Sequence, residues 1–163
     1  MMVALVGSPN VGKSVIFNYL TGGRVQVSNY PGTTVEIARG KMIWGGISLE
    51  IVDTPGIYSF RPITFEEQVT RRLLWTEKPA LVVHVIDAKN LERMLPLSFQ
   101  ILEAGLALLL TLNMMDEARR LGLSFNVPAL ERALGVEVIL ATSIRGEGLP
   151  QLREKVTAHV ARL

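Results

Sequence analysis

Residues Gly7 to Ser14 match the pattern G-x-x-x-x-G-K-[ST] and directly follow the apolar run from Met2 to Val6. After a strand and before a helix, this pattern predicts a phosphate-binding loop. The backbone N–H groups of such a loop surround an anion, and the positive end of the helix points at the same place. Lys13 would reach the β- and γ-phosphates of a nucleotide, and the Ser14 hydroxyl would bind Mg²⁺. A strand-turn-helix with coincidental glycines is the alternative.

A second phosphate-binding element is predicted at the end of another strand, in Asp53-Thr54-Pro55-Gly56. The aspartate can hold Mg²⁺ through water, and the Gly56 N–H can bond to a γ-phosphate. Taken alone, this motif is equally typical of a capped loop. Thr33 and Thr34 lie between the two motifs, in a segment with Gly and Pro and no apolar periodicity. We favour Thr34 as the residue that completes the Mg²⁺ shell.

Recognition of a base is predicted at Asn113 and Asp116, which follow a further apolar run. A carboxylate there accepts the N1–H and the exocyclic amine of guanine, a pair of donors that adenine lacks, so GTP is favoured over ATP. Met114 stands where the usual N-K-x-D form has lysine; it keeps the apolar packing and loses the charge, so guanine affinity is expected to be modest. The alternative is that Asp116 caps a helix that starts near Glu117.

The candidate nucleotide site therefore draws on five separate segments, the last of them after the final predicted strand. Its predicted Mg²⁺ ligands are Ser14, Thr34 and Asp53. The predicted nucleotide-binding residues are Gly7, Ser8, Pro9, Asn10, Val11, Gly12, Lys13, Ser14, Val15, Gly32, Thr33, Thr34, Asp53, Thr54, Pro55, Gly56, Asn113, Met114, Asp116, Thr142, Ser143 and Ile144.

Apolar runs of strand length alternate with segments of helical periodicity, which favours parallel strands joined by crossover helices. Pro96 is tolerated only in a first helical turn, so the third helix is expected to begin near Met94. Gly45-Gly46 predicts a two-residue hairpin, which adds one antiparallel edge strand to an otherwise parallel sheet. The predicted strands are 2–6, 38–44, 47–53, 80–87, 106–113 and 136–141, and the predicted helices are 13–20, 65–76, 95–104, 127–134 and 149–161.

Length and composition indicate one soluble α/β domain. The chain has 163 residues, of which 48% are hydrophobic, but no apolar run approaches the roughly 20 residues of a membrane span. No secretion signal opens the sequence, so we expect a cytosolic location. The absence of cysteine excludes disulfides and thiolate metal sites. The net charge of +2 comes from scattered basic residues, so no nucleic-acid partner is expected.

The motifs, taken in order, resemble the five nucleotide-binding boxes of a small GTPase domain of the Ras-like P-loop class. The resemblance covers essentially the whole chain. It implies a three-layer α/β fold, with a mostly parallel sheet of six strands and about five helices, that binds GTP and GDP.

Three stretches resemble the ferrous-iron transport protein B (FeoB) family more specifically. Val27 to Glu36 is similar to its first switch segment, G-N-W-P-G-V-T-V-E, with Tyr30 in place of Trp and Thr33 in place of Val. Asp53 to Ser59 is similar to its D-x-P-G-x-Y-S. Asp87 to Gln100 closely follows its D-A-x-N-L-E-R-N-L-x-L-x-x-Q, and shared nucleotide chemistry does not explain this last stretch because it is expected to touch no nucleotide.

The resemblance implies a role at the cytoplasmic face of the cell (inner) membrane. In the FeoB family this domain opens a longer membrane protein and is followed by a helical domain that inhibits nucleotide dissociation. We therefore expect residues 1–163 to be an excised GTPase domain that regulates ferrous iron uptake, with the membrane transport domain of the full-length chain as its partner. The oligomeric state is left open.

The resemblance also implies how GTP would be hydrolysed. The residue after Gly56, where Ras has a catalytic glutamine, is Ile57, whose alkyl chain cannot transfer a proton. In FeoB the asparagine at the Asn10 position helps to hold a K⁺ ion against the phosphates, and by position the backbone carbonyls of Ser28 and Tyr30 would complete the K⁺ site. The alternative is that Asn10 only shapes the loop. Slow hydrolysis accelerated by K⁺ is expected, with Asn10, Lys13, Thr34 and Gly56 as the predicted catalytic residues.

Three other functions stay open from the sequence. A GTPase of the Era or Der type also has P-G-T-T in its first switch segment, but it needs an RNA-binding domain and would bind RNA in a salt-sensitive way. A nucleotide-gated module that does not hydrolyse GTP is motivated by Ile57 and Met114. An ATPase is less favoured, and titration with both nucleotides distinguishes it.

Overall fold

Seven strands form one central sheet in the computed structural model, which describes residues 1–163. Along the chain the strands are β1 (Met2–Val6), β2 (Val25–Asn29), β3 (Glu36–Trp44), β4 (Ile47–Asp53), β5 (Leu81–Asp87), β6 (Leu108–Asn113) and β7 (Val138–Leu140). Across the sheet their order is β2-β3-β4-β1-β5-β6-β7.

Six α-helices connect these strands: α1 (Lys13–Thr21), α2 (Phe65–Glu77), α3 (Leu91–Glu103), α4 (Met115–Arg120), α5 (Val127–Leu134) and α6 (Leu149–Ala161). Short 3₁₀ turns at Ala88–Asn90 and Ser143–Arg145 follow β5 and β7. None of the helices combines the length and the hydropathy that crossing a bilayer requires.

The sheet has an apolar layer on each face. Val3 and Leu5 of β1 pack in a cluster with residues of α1 and α6, whereas the alternate residues Ala4 and Val6 pack in a second cluster with residues of α2 and α3. Both faces of β1 are therefore buried, as expected for a strand between parallel neighbours. This three-layer arrangement places the carboxyl ends of β1, β4, β6 and β7 on the same side of the molecule, and the predicted site residues follow these strand ends.

The sheet has one strand more than the sequence predicted. β2 lies within the segment 24–37 that showed no periodicity, and all five of its residues are exposed. An exposed strand has no alternation of buried and solvated side chains, so only its pairing with β3 reveals it. β3 is the strand that runs against the others, and β2 rather than β3 forms the outer edge.

The prediction that the third helix begins near Met94 was wrong, because α3 begins at Leu91 and contains Pro96 in its interior. A proline there removes the hydrogen bond to the carbonyl of Glu92. Both Glu92 and Pro96 are exposed, so water can satisfy that carbonyl. Helix α4 was also not predicted, since six residues are too few for a periodic pattern.

The hairpin between β3 and β4 confirms the predicted turn, with φ values of 57° at Gly45 and 78° at Gly46. It presents Trp44 to helix α6. The guanidinium carbon of Arg153 lies 3.5 Å from the centroid of the Trp44 ring and 5.3 Å from that of Tyr19 on α1. This cation–π stack ties the hairpin to two helices.

Arg153→Ala is expected to lower the free energy of unfolding by about 1–2 kcal/mol, because both the cation–π contact and the packing of the arginine stem are lost. Urea denaturation of the wild type and the variant measures the change. Arg132→Ala is the matched control, since Arg132 is exposed on α5 and makes no ion pair. Equal losses in the two variants would contradict a stabilising stack.

Candidate nucleotide-binding site

The loop after β1 is built around two glycines that tolerate no side chain. A Cβ at Gly7 would overlap the carbonyl oxygen of Val85. Gly12 has a φ of 92°, and a Cβ there would overlap the side-chain amide of Asn113. The backbone N–H groups of Asn10, Val11 and Gly12 donate no hydrogen bond within the chain. The loop therefore offers a row of free donors in front of the first turn of α1, which is the arrangement that binds an anion.

Three polar side chains meet beside this loop. The Lys13 Nζ lies 3.2 Å from Asp53 Oδ1, and the Ser14 Oγ donates to Asp53 Oδ2 at 2.9 Å. β4 pairs in parallel with β1, with Leu5 opposite Asp53, so the aspartate ends beside the loop. The serine and aspartate oxygens are hard ligands of the kind that Mg²⁺ prefers, and these two residues fit such an ion.

The segment after Asp53 is fixed against the loop. Thr54 Oγ1 donates to the Leu5 carbonyl at 2.8 Å, and the Ile57 N–H donates to the Gly7 carbonyl at 2.9 Å. The Gly56 N–H has no hydrogen-bond partner within the chain, so it is available to a ligand.

The side chains of Pro9 and Ile57 limit the residue type and the chemistry that are possible at Gly56. A Cβ at Gly56 would lie 2.6 Å from a Pro9 ring carbon, so only glycine fits there. The Ile57 side chain is completely buried in the core. It therefore faces away from solvent and cannot position a water molecule.

Asn113 connects the segments predicted to bind the base and the phosphates. Its Nδ2 donates at 2.9 Å to both the Val11 carbonyl and Ser143 Oγ, and its Oδ1 accepts from the Ser143 N–H at 2.9 Å. Asn113 is buried, and both polar atoms of its side chain are hydrogen-bonded. One side chain thus joins the loop after β1 to the loop after β7.

Asp116 lies in the first turn of α4 and does not cap that helix. Met114 occupies the cap position with a φ of 60° and makes no side-chain cap bond. The N-cap interpretation of Asp116 is therefore wrong. The Asp116 carboxylate contacts only Arg120, at 3.4 Å, so it remains able to accept hydrogen bonds from a base.

The first switch segment is held in a closed turn. The Tyr30 N–H donates to the Val35 carbonyl at 2.7 Å, and the Tyr30 carbonyl accepts from the Thr33 N–H at 3.0 Å and from Thr33 Oγ1 at 2.8 Å. Thr34 is exposed and makes no side-chain hydrogen bond, so none joins it to Ser14 or Asp53. The structure does not bring Thr34 into the group formed by Lys13, Ser14 and Asp53.

The predicted K⁺ ligands are also apart. The Asn10 backbone has a φ of 64°. Its side chain is exposed and makes no hydrogen bond, so the amide oxygen is free to bind a cation. Ser28 pairs with Ile37 inside the β2–β3 ladder, and the Tyr30 carbonyl is taken up by Thr33. Asn10 fits a cation, whereas the two carbonyls would have to leave the hairpin to join it.

The other predicted residues differ in exposure and backbone conformation. Ser8 is buried and Pro9 exposed in the loop, Val15 is 40% exposed on α1, and Gly32 has a φ of 75° in the closed turn. After β7, Thr142 and Ser143 are buried and Ile144 is 76% exposed, which leaves Ile144 able to cover a planar ligand.

Sequence reasoning missed the role of Gln100. Its Oε1 accepts from the Phe60 N–H at 2.7 Å, which anchors the segment that follows Gly56 to helix α3. Ser8 Oγ likewise lies 3.7 Å from Met94 Sδ on that helix. The stretch from Asp87 to Gln100 therefore supports both phosphate-binding segments from behind. A glutamine at its end was the only available signal.

His84 forms part of the wall of a cavity of about 290 Å³ between the loop, α3 and the segment after Gly56. Its Nδ1 is 2.7 Å from Ser98 Oγ, and burial lowers the pKa of His84 from 6.5 to about 3. The folded chain therefore holds this histidine neutral and hydrogen-bonded in the core, which is a structural role.

The stability of the fold should consequently decrease in weak acid. Below about pH 6.5, His84 becomes protonated in the unfolded chain but stays neutral in the folded chain. The stability that is present above that pH is therefore lost as the pH falls towards 3. We expect a loss of about 1.5 kcal/mol from this group between about pH 6.5 and pH 5. Urea denaturation across this range should give a flatter profile for His84→Asn than for wild type, and parallel profiles would contradict the assignment to His84.

Comparison with known proteins decides the family. A family model described as "Ferrous iron transport protein B" matches residues 1–156. The chain belongs to the FeoB family.

Curated FeoB proteins are similar along nearly the whole chain. The Fe(2+) transport protein A/Fe(2+) transporter FeoB fusion protein of Porphyromonas gingivalis is 44% identical over 162 residues, which are 98% of this chain and 19% of that protein. The Fe(2+) transporter FeoB of Escherichia coli is 36% identical over 165 residues, which are 99% of this chain and 21% of that protein. The chain thus spans about a fifth of the length of these relatives.

Solved FeoB structures share the fold. The FeoB G domain of Methanococcus jannaschii is 39% identical with a TM-score of 0.85, covering 98% of this chain and 97% of that one. The cytosolic domain of the T. maritima FeoB iron transporter in its GMPPNP form is 37% identical with a TM-score of 0.92, covering 97% of this chain and 63% of that one. The predicted Ras-like P-loop fold and the FeoB resemblance are both confirmed.

Proposed function

We propose that this FeoB G domain is a GTP-binding switch that hydrolyses GTP slowly and regulates ferrous iron uptake. The observation that carries the proposal is the meeting of Lys13, Ser14 and Asp53 beside three consecutive free N–H groups of the loop. That arrangement suits a nucleotide triphosphate and its metal ion. Membership of a family of ferrous iron transporters supports the biological role.

Guanine is the proposed base. The Asp116 carboxylate would accept the N1–H and the exocyclic amine, while Asn113 holds the base segment against the loop. Met114 would pack against the base without supplying a charge, which is why we expect modest affinity.

Mg²⁺ is the proposed metal, bound by Ser14 directly, by Asp53 and by Thr34. Ser14 and Asp53 already meet through a hydrogen bond of 2.9 Å. Thr34 would join them when the first switch segment leaves its closed turn. When bound, Mg²⁺ neutralises charge on the β- and γ-phosphates.

Hydrolysis would depend on charge and backbone donors rather than on a side-chain base. Lys13 would stabilise charge on the phosphates, and the free Gly56 N–H would bond to the γ-phosphate. Because Ile57 is buried, backbone groups near Thr34 and Gly56 would orient the attacking water. Without a positioned glutamine, a low rate is expected.

K⁺ is the proposed activator. Asn10 would hold it beside the phosphates through its free amide oxygen, with the carbonyls of Ser28 and Tyr30 as further ligands. K⁺ supplies positive charge where the transition state gains negative charge.

In the full-length protein, the proposed partner is the membrane transport domain of the same chain, and the proposed location is the cytoplasmic face of the cell (inner) membrane. The FeoB relatives, of which this domain spans about a fifth, support both proposals.

Release of phosphate over several turnovers tests the enzymatic part of the proposal. GTP and ATP are each supplied with Mg²⁺ in KCl and in NaCl, and GTP in KCl is expected to give the highest rate. Lys13→Ala should abolish the signal. Tight GTP binding without multiple turnover would instead favour the second candidate function, a nucleotide-gated interaction module that does not hydrolyse GTP. The buried Ile57, which cannot position water, is the observation that supports this alternative.

A further inference from the structure

β2 is an unprotected edge of the sheet. The strand order ends at β2, so one side pairs with β3 and the other has no strand beside it. Proteins block such edges with charged residues, prolines or bulges. Val25–Asn29 contains no charge and no proline, and its five residues pair with β3 in unbroken register.

The backbone groups that face outward can be assigned. The Tyr30 N–H donates to Val35, which makes Tyr30 and Val35 a hydrogen-bonded pair of the hairpin. Such pairs alternate along antiparallel strands, so Ser28 and Gln26 also bond inward to β3. The N–H and C=O groups of the remaining residues, Val25, Val27 and Asn29, therefore point away from the sheet.

The same edge carries exposed apolar side chains. Val25 is 38% exposed and Val27 is 58% exposed. Alternate residues share a face of a strand, so both valines lie on the face that packs against α1. Gly40, opposite Val25, faces Thr21 of that helix, which identifies the face.

We infer that β2 pairs antiparallel with β2 of a second copy of this chain, about a two-fold axis at Val27. This inference goes beyond the proposed GTPase function. It concerns the nucleotide-free chain, in which β2 is paired with β3, because the proposed K⁺ site would draw the Ser28 carbonyl out of that hairpin. In that register Val27 faces Val27 of the second copy and Val25 faces its Asn29, so the outward groups of the three residues form reciprocal hydrogen bonds.

A second copy suits this edge because the edge is self-complementary. The central valines cover each other, and cross-strand pairs of β-branched residues stabilise antiparallel strands. Arg24, the nearest charge on the strand's flank, faces Tyr30 of the second copy, so no like charges are opposed. The two sheets become one continuous sheet of fourteen strands, twice the seven of one copy.

Sedimentation velocity over a concentration series tests the pairing. The wild type is expected to form a reversible dimer. Val27→Glu places two carboxylates directly opposite each other and should raise the dimer dissociation constant at least about tenfold. Ile43→Glu is the matched control, because Ile43 is 60% exposed and lies on β3 beyond Glu36–Gly40, the residues that pair with β2. That variant should dimerise like the wild type.

Cross-linking tests the register. The chain has no cysteine, so Val27→Cys provides a single thiol. Opposed residues of a hydrogen-bonded pair have Cα atoms about 5.5 Å apart, which is within reach of a disulfide. Mild oxidation should link Val27→Cys into a dimer and leave Ile43→Cys monomeric.

Three results would overturn the inference: a wild type that stays monomeric throughout the series, a Val27→Glu variant that dimerises like the wild type, or equal cross-linking at both positions. A monomeric chain that binds an unrelated extended peptide would show that the edge takes a foreign strand instead.

Discussion

Gly12→Ala is expected to weaken the binding of guanine nucleotides at least about 100-fold, which corresponds to about 3 kcal/mol. Gly12 has a φ of 92°, and a Cβ there would overlap the Asn113 amide and lie 3.1 Å from Ser143 Oγ. Both neighbours are held by mutual hydrogen bonds and cannot move apart without breaking them. Titration with a fluorescent GTP analogue measures the loss.

A matched glycine separates the two causes of this loss. Gly22 also has a positive φ, of 62°, but no atom lies within 4 Å of where its Cβ would be. Gly22→Ala should therefore cost some stability through backbone strain and leave nucleotide affinity within about twofold of the wild type. If Gly12→Ala bound nucleotide as well as Gly22→Ala does, the close approach of Gly12 to Asn113 would have no functional importance.

Asn10→Ala is expected to remove the preference of GTP hydrolysis for K⁺ over Na⁺. For the wild type we expect K⁺ to accelerate turnover about tenfold or more, because a bound cation stabilises the charge of the transition state. The exposed Asn10 side chain makes no hydrogen bond within the chain, so its amide has no competing structural partner. Phosphate release in KCl and NaCl gives the ratio of rates, which should fall to about one.

The backbone of Asn10 requires a second variant. Its φ of 64° favours asparagine or glycine over alanine. Asn10→Gly keeps that conformation accessible while it removes the amide, so it too should lose the K⁺ preference. Asn18→Ala, an exposed asparagine on α1, should retain it. A K⁺ preference that survives in Asn10→Gly would assign the activation to another group, and equal wild-type rates in KCl and NaCl would end the proposal.

The sequence predicted those parts of the fold that are buried. β1 is a continuous apolar run and β5 is one apart from His84 and its final Asp87, and such runs mark strands that are covered on both faces. β2 was not predicted, because its five exposed residues show no alternation between buried and exposed positions. The start of α3 was misplaced because Pro96 is unfavourable in the interior of a helix, and only its exposure in the folded chain shows why it is tolerated.

The candidate site was predicted in part for a related reason. Lys13, Ser14 and Asp53 belong to short motifs whose spacing follows from the chemistry of phosphate binding, and the structure brings them together. The support from Gln100 and the hydrogen bonds of Asn113 connect residues far apart in the chain, so no local spacing reports them. Thr34 lies in a turn that is closed by hydrogen bonds of Tyr30, and the short motif around Thr34 does not report those bonds.

The Asn113 side chain has a kinetic consequence. Its amide bonds to the loops after β1 and β7 at once, so the segments around the phosphates and around the base share one opening free energy. We therefore expect a bound nucleotide to leave when both loops open together. Its residence time should then follow the opening frequency of this pair of loops rather than the contacts of either loop alone.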